Sequence, residues 1–182
     1  MTILLNPGPV VLSERVRKAM LKPDLCHREQ EFIDLQNAIR EKLLGVYQLD
    51  NRKWASILFT GSGTSGMEAM MTSLVPAHGK VLIIENGVYG ERLSKIAKIH
   101  DIDHVVLHHE WGEDIDLNKL EGELDYHEGL SHVAVVHHET TTGRLNNIDA
   151  VAELCKKHGN VPILLDGVSS FGAEEIRFDD LN

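Results

Sequence analysis

Apolar residues along this chain follow two alternating periods. Short, near-continuous apolar runs stand at 56–59, 81–84, 104–107, 132–136 and 162–165. Between them lie segments with apolar residues three and four apart. In 147–157, Ile148, Val151, Ala152 and Cys155 share a helical face, and in 89–100 Leu93, Ile96 and Ala97 do the same. A further helix is predicted over 116–126, weakened by Gly122, and another over 67–74. Upstream, 29–47 sets Phe32, Leu35, Ile39, Leu43 and Val46 on one stripe of a longer helix. Runs that are apolar on both faces predict strands covered on both sides, and strand–helix alternation predicts crossover units. The expected fold class is therefore α/β, a mainly parallel sheet with flanking helices. At 182 residues, without an internal repeat or a clear linker, the chain suits one domain with a sizeable core.

In open sheets of this kind, ligands bind beyond the carboxyl ends of the strands. Polar, small and glycine residues gather at those positions here. After the first run comes Thr60-Gly61-Ser62-Gly63-Thr64-Ser65-Gly66, and after the second Glu85-Asn86-Gly87-Val88-Tyr89-Gly90. After the fourth comes His137-His138-Glu139-Thr140-Thr141-Thr142-Gly143, and after the last Asp166-Gly167-Val168-Ser169-Ser170. The first segment leads from an apolar run through glycines into a helix. A helix start leaves backbone N–H groups unpaired, and its dipole favours negative charge. The loop lacks the G-x-x-x-x-G-K-[ST] of a P-loop, and its spacing is not G-x-G-x-x-G. Taken alone it is equally a glycine-rich turn with a helix N-cap.

Composition narrows the partners. Apolar content is 42%, charged content 25% and the formal net charge −10. That balance argues against nucleic acid or an anionic membrane surface, because phosphate backbones recruit positive charge. No apolar stretch approaches the ~20 residues that span a bilayer, and the N-terminus lacks the basic region of a signal peptide. Two distant cysteines, Cys26 and Cys155, without a CxxC, fit a reducing compartment, so the cytoplasm is the expected location.

The four segments together, with Leu4-Leu5-Asn6-Pro7-Gly8-Pro9 and Asp24-Leu25-Cys26-His27-Arg28-Glu29 upstream and Phe171-Gly172 downstream, resemble the class V branch of the fold-type-I pyridoxal 5'-phosphate (PLP) aminotransferases. Within that branch the chain looks most like the 2-aminoethylphosphonate–pyruvate transaminases, with alanine–glyoxylate transaminases next. The resemblance implies a cofactor held at several points. Ser62, Gly63 and Thr64 would grip the phosphate, and Tyr89 would stack on the pyridine ring. Asp166 would pair with the ring nitrogen and keep it protonated. Thr142 would bond the ring hydroxyl or the phosphate side, with Ser169 and Ser170 in support. Bland alternatives stand beside each: Tyr89 as a locally packed helix-start aromatic, Asp166 as a turn cap before Gly167, and the threonines as turn residues satisfying their own backbone.

The resemblance also implies an amine donor and pyruvate as small-molecule partners, and a homodimer for the intact protein. It places the Schiff-base lysine beyond Asn182, so residues 1–182 are expected to hold the N-terminal segment and most of the PLP-binding large domain, without the C-terminal small domain. No catalytic lysine is assigned within the chain, and the segment alone is expected to be inactive. Competing readings are alanine/serine–glyoxylate transamination, a non-catalytic remnant acting as a binding module, and a Rossmann-like nucleotide binder using Glu85.

His108-His109-Glu110 and His137-His138-Glu139 tempt a metal reading. Adjacent strand residues point to opposite faces, and neither an H-E-x-x-H nor a cysteine cluster is present, so no metal site is expected. Cys26 beside His27 and Arg28 reads as an activated thiol by chemistry and as an entrance or interface residue by resemblance. Cys155, on the apolar face of a helix, reads as core.

Overall fold

A computed structural model of the chain describes residues 3–181. It forms two compact units, Met1–Leu58 and Phe59–Asn182, rather than the one domain expected from length. The first holds helices α1 (Glu14–Ala19) and α2 (Gln30–Gly45). The predicted long helix is therefore present, but it buries no residue: Leu35, Ile39 and Val46 on the anticipated stripe stay exposed.

The second unit carries the sheet. Strands β1 (Lys80–Glu85), β2 (Asp103–His108), β3 (Leu130–Val136) and β6 (Ile163–Asp166) pair in the order β2-β1-β3-β6, and every pairing is parallel. A separate two-residue ribbon joins β4 (His138–Glu139) to β5 (Arg144–Leu145), antiparallel. This ribbon is too short to show a period in the sequence. Helix α3 (Gly63–Leu74) precedes β1, and helices α4 (Val88–Ile99), α5 (Leu117–Tyr126) and α6 (Ile148–Lys157) connect the strands. Side chains alternate along a strand. Val81 and Ile83 of β1, with Ala134 and Val136 of β3 and Leu164 of β6, join Met67 and Met71 of α3 and Leu93, Ile96 and Ala97 of α4 in one buried cluster. The alternate residues Leu82, Ile84, Val133 and Val135 are buried as well. Both faces are thus covered, which is why these strands read as unbroken apolar runs.

The run at 56–59 does not become a strand; its residues have no regular structure. Ile57 is 85% exposed and Phe59 63% exposed. A strand exists only through hydrogen bonds to a neighbour, and among the described residues nothing pairs with this segment. Apolar content and β-branching alone could not reveal that.

The helices start where their caps allow. Ser62 caps α3, its hydroxyl accepting from the Ser65 N–H; Asp116 caps α5 and Asn147 caps α6 in the same way. The α3 helix begins at Gly63, four residues before the predicted start at 67, so the glycine loop is largely the first turn of a helix. Helix α4 begins hard against the end of β1. A Cβ on Gly90 would lie 2.8 Å from the Ile84 carbonyl oxygen and 2.9 Å from the Glu85 Cα, so only glycine permits this approach.

Candidate active site

The carboxyl ends of β1, β3 and β6 converge on a cleft of about 150 Å³. Gly63 and Thr64 of α3, Tyr89 and Arg92 of α4, His138 beyond β3 and Asp166 at the end of β6 line it. Four of the six cofactor-binding residues expected from the sequence, Gly63, Thr64, Tyr89 and Asp166, therefore meet at one place. Ser62 stands next to it as the α3 cap. Thr142 does not line the cleft: its hydroxyl donates to the Glu139 carbonyl oxygen at 3.2 Å, a local turn bond. Ser169 lines the cleft, and the fully buried Ser170 donates its hydroxyl to the Gly167 carbonyl at 3.4 Å.

Asp166 is the last residue of an apolar strand and only 7% exposed. Its Oδ1 accepts a hydrogen bond from the Val168 N–H at 3.0 Å, and Oδ2 has no such partner among the described residues. Burial raises its pKa above the usual carboxylate value; the Val168 N–H opposes the shift, the Glu139 carboxylate reinforces it and the Arg92 guanidinium opposes it. An unbalanced buried acid at the mouth of a cleft calls for a proton donor.

Opposite stands the first turn of α3, which carries no acidic residue. A Cβ on Gly63 would come within 3.0 Å of the Val168 side chain, so the loop after β6 presses on this helix start. From α4, Arg92 Nη1 donates to Thr64 Oγ1 at 2.9 Å, and its Cζ lies 4.7 Å from the Tyr89 ring centroid.

Glu139 organises the start of α4. It is wholly buried. Oε2 accepts from the Tyr89 N–H at 2.9 Å and the Gly90 N–H at 3.3 Å, while Oε1 accepts from the Thr141 hydroxyl at 2.6 Å. A carboxylate at a helix start satisfies orphan amides and complements the dipole. Beneath it, Asn86 donates to Asn146 Oδ1 at 2.7 Å and to the Glu113 carbonyl at 3.0 Å, and Asn146 donates to the Val136 carbonyl at 2.8 Å. These buried amides tie the loops after β1 and β3 together.

Sequence reasoning assigned no role to Arg92, His138 or Glu139. Arg92 was within reach, since it stands one helical turn from Tyr89 and so shares its face. Glu139 carried a weaker signal, a carboxylate in a segment otherwise rich in hydroxyls. His109 and His137 both lie just outside strands, so the alternation expected of strand neighbours governs neither histidine pair. His109 is buried, with Nδ1 3.3 Å from the Glu85 carbonyl and Nε2 accepting from the Asp116 N–H at 2.9 Å. His137 is buried with Nδ1 unpaired, and burial lowers its pKa, while His138 turns to the cleft. Cys155 is 2% exposed, and burial pushes its thiol up to about 12, which makes it inert; Cys26 is exposed.

Comparison with known proteins places this geometry in context. The sequence model described as "Aminotransferase class-V" matches residues 16–182. The 2-aminoethylphosphonate–pyruvate transaminase of Vibrio vulnificus is 42% identical over 181 residues, a match that spans 98% of this chain and 48% of that protein. Among solved structures, pyridoxamine–pyruvate aminotransferase from Mesorhizobium loti superposes with a TM-score of 0.89 at 28% identity, over 99% of this chain and 45% of that one. Alanine–glyoxylate aminotransferase from Nostoc sp. superposes with a TM-score of 0.86 at 33% identity, over 97% of this chain and 46% of that one. The chain spans about half the length of the curated relatives it matches.

Proposed function

Because the chain belongs to the class-V aminotransferase family, which is PLP-dependent, we propose that its protein transfers the amino group of 2-aminoethylphosphonate to pyruvate, giving phosphonoacetaldehyde and alanine. The observation that carries the site is the pairing of an acid-free helix start and a buried, half-partnered carboxylate across one cleft. The choice of substrate rests on the likeness to the Vibrio vulnificus enzyme.

The residues present fit the cofactor. Asp166 has a free Oδ2 for a pyridinium N–H, and the ion pair would relieve the burial that now raises its pKa. The N–H groups of Gly63 and Thr64 suit the phosphate, and Ser62 holds that turn in place as its cap. Tyr89 offers a ring face for stacking. Thr142, bonded within its own turn, would have to exchange that bond to reach the ring hydroxyl, which makes it the weakest of the six assignments. When bound, PLP supplies an electron-withdrawing ring that accepts the electron pair left by the breaking Cα–H bond of the substrate. Asp166 then serves by keeping the ring nitrogen protonated, and Tyr89 and the α3 turn by fixing the plane in which the ring lies. The proton carrier at the substrate carbon, a lysine by family resemblance, is not assigned to residues 1–182. The intact protein would be a cytoplasmic homodimer, with residues 1–182 supplying the N-terminal segment and most of the large domain.

A product assay on the full gene product tests this. Coupled detection of alanine formed from pyruvate should show 2-aminoethylphosphonate as the preferred donor by kcat/KM. Preference for alanine or serine with glyoxylate would refute the substrate assignment and favour the second reading, which the likeness to the Nostoc enzyme supports.

A further inference from the structure

The cleft joins a cation to the anion-binding turn through a hydroxyl. Resting on the cofactor reading above, we propose that Arg92 is the positioning residue of the phosphate grip, acting through Thr64. Three observations carry this. First, among the described residues lining the cleft, Arg92 is the one permanent cation. A phosphate monoester carries up to two negative charges, and the protein as a whole carries a formal charge of −10 that opposes its entry. A cation next to an acid-free helix start offsets that field where the anion would sit.

Second, the hydrogen bond sets the direction of the Thr64 hydroxyl. A threonine hydroxyl has one hydrogen and two lone pairs. With a lone pair occupied by Arg92 Nη1 at 2.9 Å, the O–H must point elsewhere, and the charged donor polarises it into a stronger donor. Thr64 is thereby committed to donating, which is what a phosphate oxygen requires. Third, the same guanidinium lies with Cζ 4.7 Å from the Tyr89 ring centroid, a contact that holds it in place beside Thr64. Among the described residues, the Arg92–Thr64 bond is the one side-chain hydrogen bond between α3 and α4 whose two partners both line the cleft, so its loss frees the Thr64 hydroxyl to rotate.

The test compares PLP with pyridoxal, which lacks the phosphate, by fluorescence titration of the apo form of the full gene product. Arg92→Gln should weaken PLP at least tenfold and leave pyridoxal within about twofold. Thr64→Val should do the same, and the double variant should lose less than the product of the two losses, because both act on one bond. Arg92→Lys keeps the charge without the planar fork and should fall between Gln and wild type. The ratio of the two affinities is read on the same folded protein, so general destabilisation cancels; if Arg92→Gln does not fold, Arg92→Lys and Thr64→Val carry the comparison. Equal losses for both ligands, no loss for either, or independent losses for Arg92 and Thr64 would overturn the inference while leaving the cofactor reading intact. A wild-type protein that binds no PLP would remove both.

Discussion

Replacing Glu139 by glutamine tests the arrangement that places Tyr89. The carboxylate is fully buried and meets donors only: the Tyr89 N–H at 2.9 Å, the Gly90 N–H at 3.3 Å, the Thr141 hydroxyl at 2.6 Å and the Thr141 N–H at 3.4 Å. Glutamine must turn its NH₂ group towards one side of that set. Facing the helix amides, it would strand two buried N–H groups at about 1–3 kcal/mol each. Facing Thr141 costs less, because the threonine hydroxyl can rotate to accept. In that orientation the two amide bonds survive as neutral rather than charge-assisted bonds, and the helix start loses its counter-charge, worth about 0.3–1 kcal/mol. The sum is about 2 kcal/mol, a roughly 30-fold change in the folded-to-unfolded ratio. That corresponds to about 4–8 °C in Tm for a chain of this size. Urea unfolding and thermal melts measure the first quantity, and amide exchange at Tyr89 and Gly90 locates it. A companion cycle adds Gly87→Ala. Its Cβ would lie 2.3 Å from Glu139 Cγ and 2.5 Å from Cδ, so the substitution should be severe in the wild type and mild in a Glu139→Ala background. An E139Q protein within about 0.5 kcal/mol of wild type, or one whose lost stability leaves Tyr89 and Gly90 exchange unchanged, would refute the account.

Two further outcomes follow from the same contacts. Asp166 has a raised pKa in the folded chain, so the folded state holds that proton more tightly than the unfolded one; the corresponding stabilisation is present below the ordinary value of 3.8 and is lost as pH rises through the folded value. Asp166→Asn removes that cost, so the apo variant should be about 1 kcal/mol more stable than wild type at pH 7 in urea titrations, with the gap closing as pH falls towards 3.8, while the transamination proposed for the full gene product should drop at least about 100-fold; a gap that widens in acid would contradict the sign. Under native conditions a thiol reagent should modify Cys26 rapidly and Cys155 only on unfolding, as read by mass spectrometry; equal rates would deny the burial of the α6 face.

The elements of the second unit were legible because each repeats one simple rule. Ile148, Val151, Ala152 and Cys155 recur at helical spacing, and Val81 to Ile84 are apolar throughout because α3 and α4 cover one face and α5 and α6 belong to the other. The placement of chemistry was legible too, since parallel strands gather their following loops at one edge: Tyr89 follows β1 and Asp166 ends β6, while Gly63 joins them from a helix start that no strand precedes among the described residues. What the one-dimensional pattern could not contain is who stands opposite whom. Among the described residues, the run at 56–59 has the composition of a strand but no strand partner, and the α2 stripe has the spacing of a buried face but stays exposed. Thr142 sits in the right segment and spends its hydroxyl on its own turn. Arg92 and Glu139 gain their roles from contacts 28 and 50 residues away along the chain. Local periodicity is a property of neighbours in sequence, so it survives in the sequence alone; hydrogen bonding, burial and charge pairing are properties of neighbours in space, and only folding decides them.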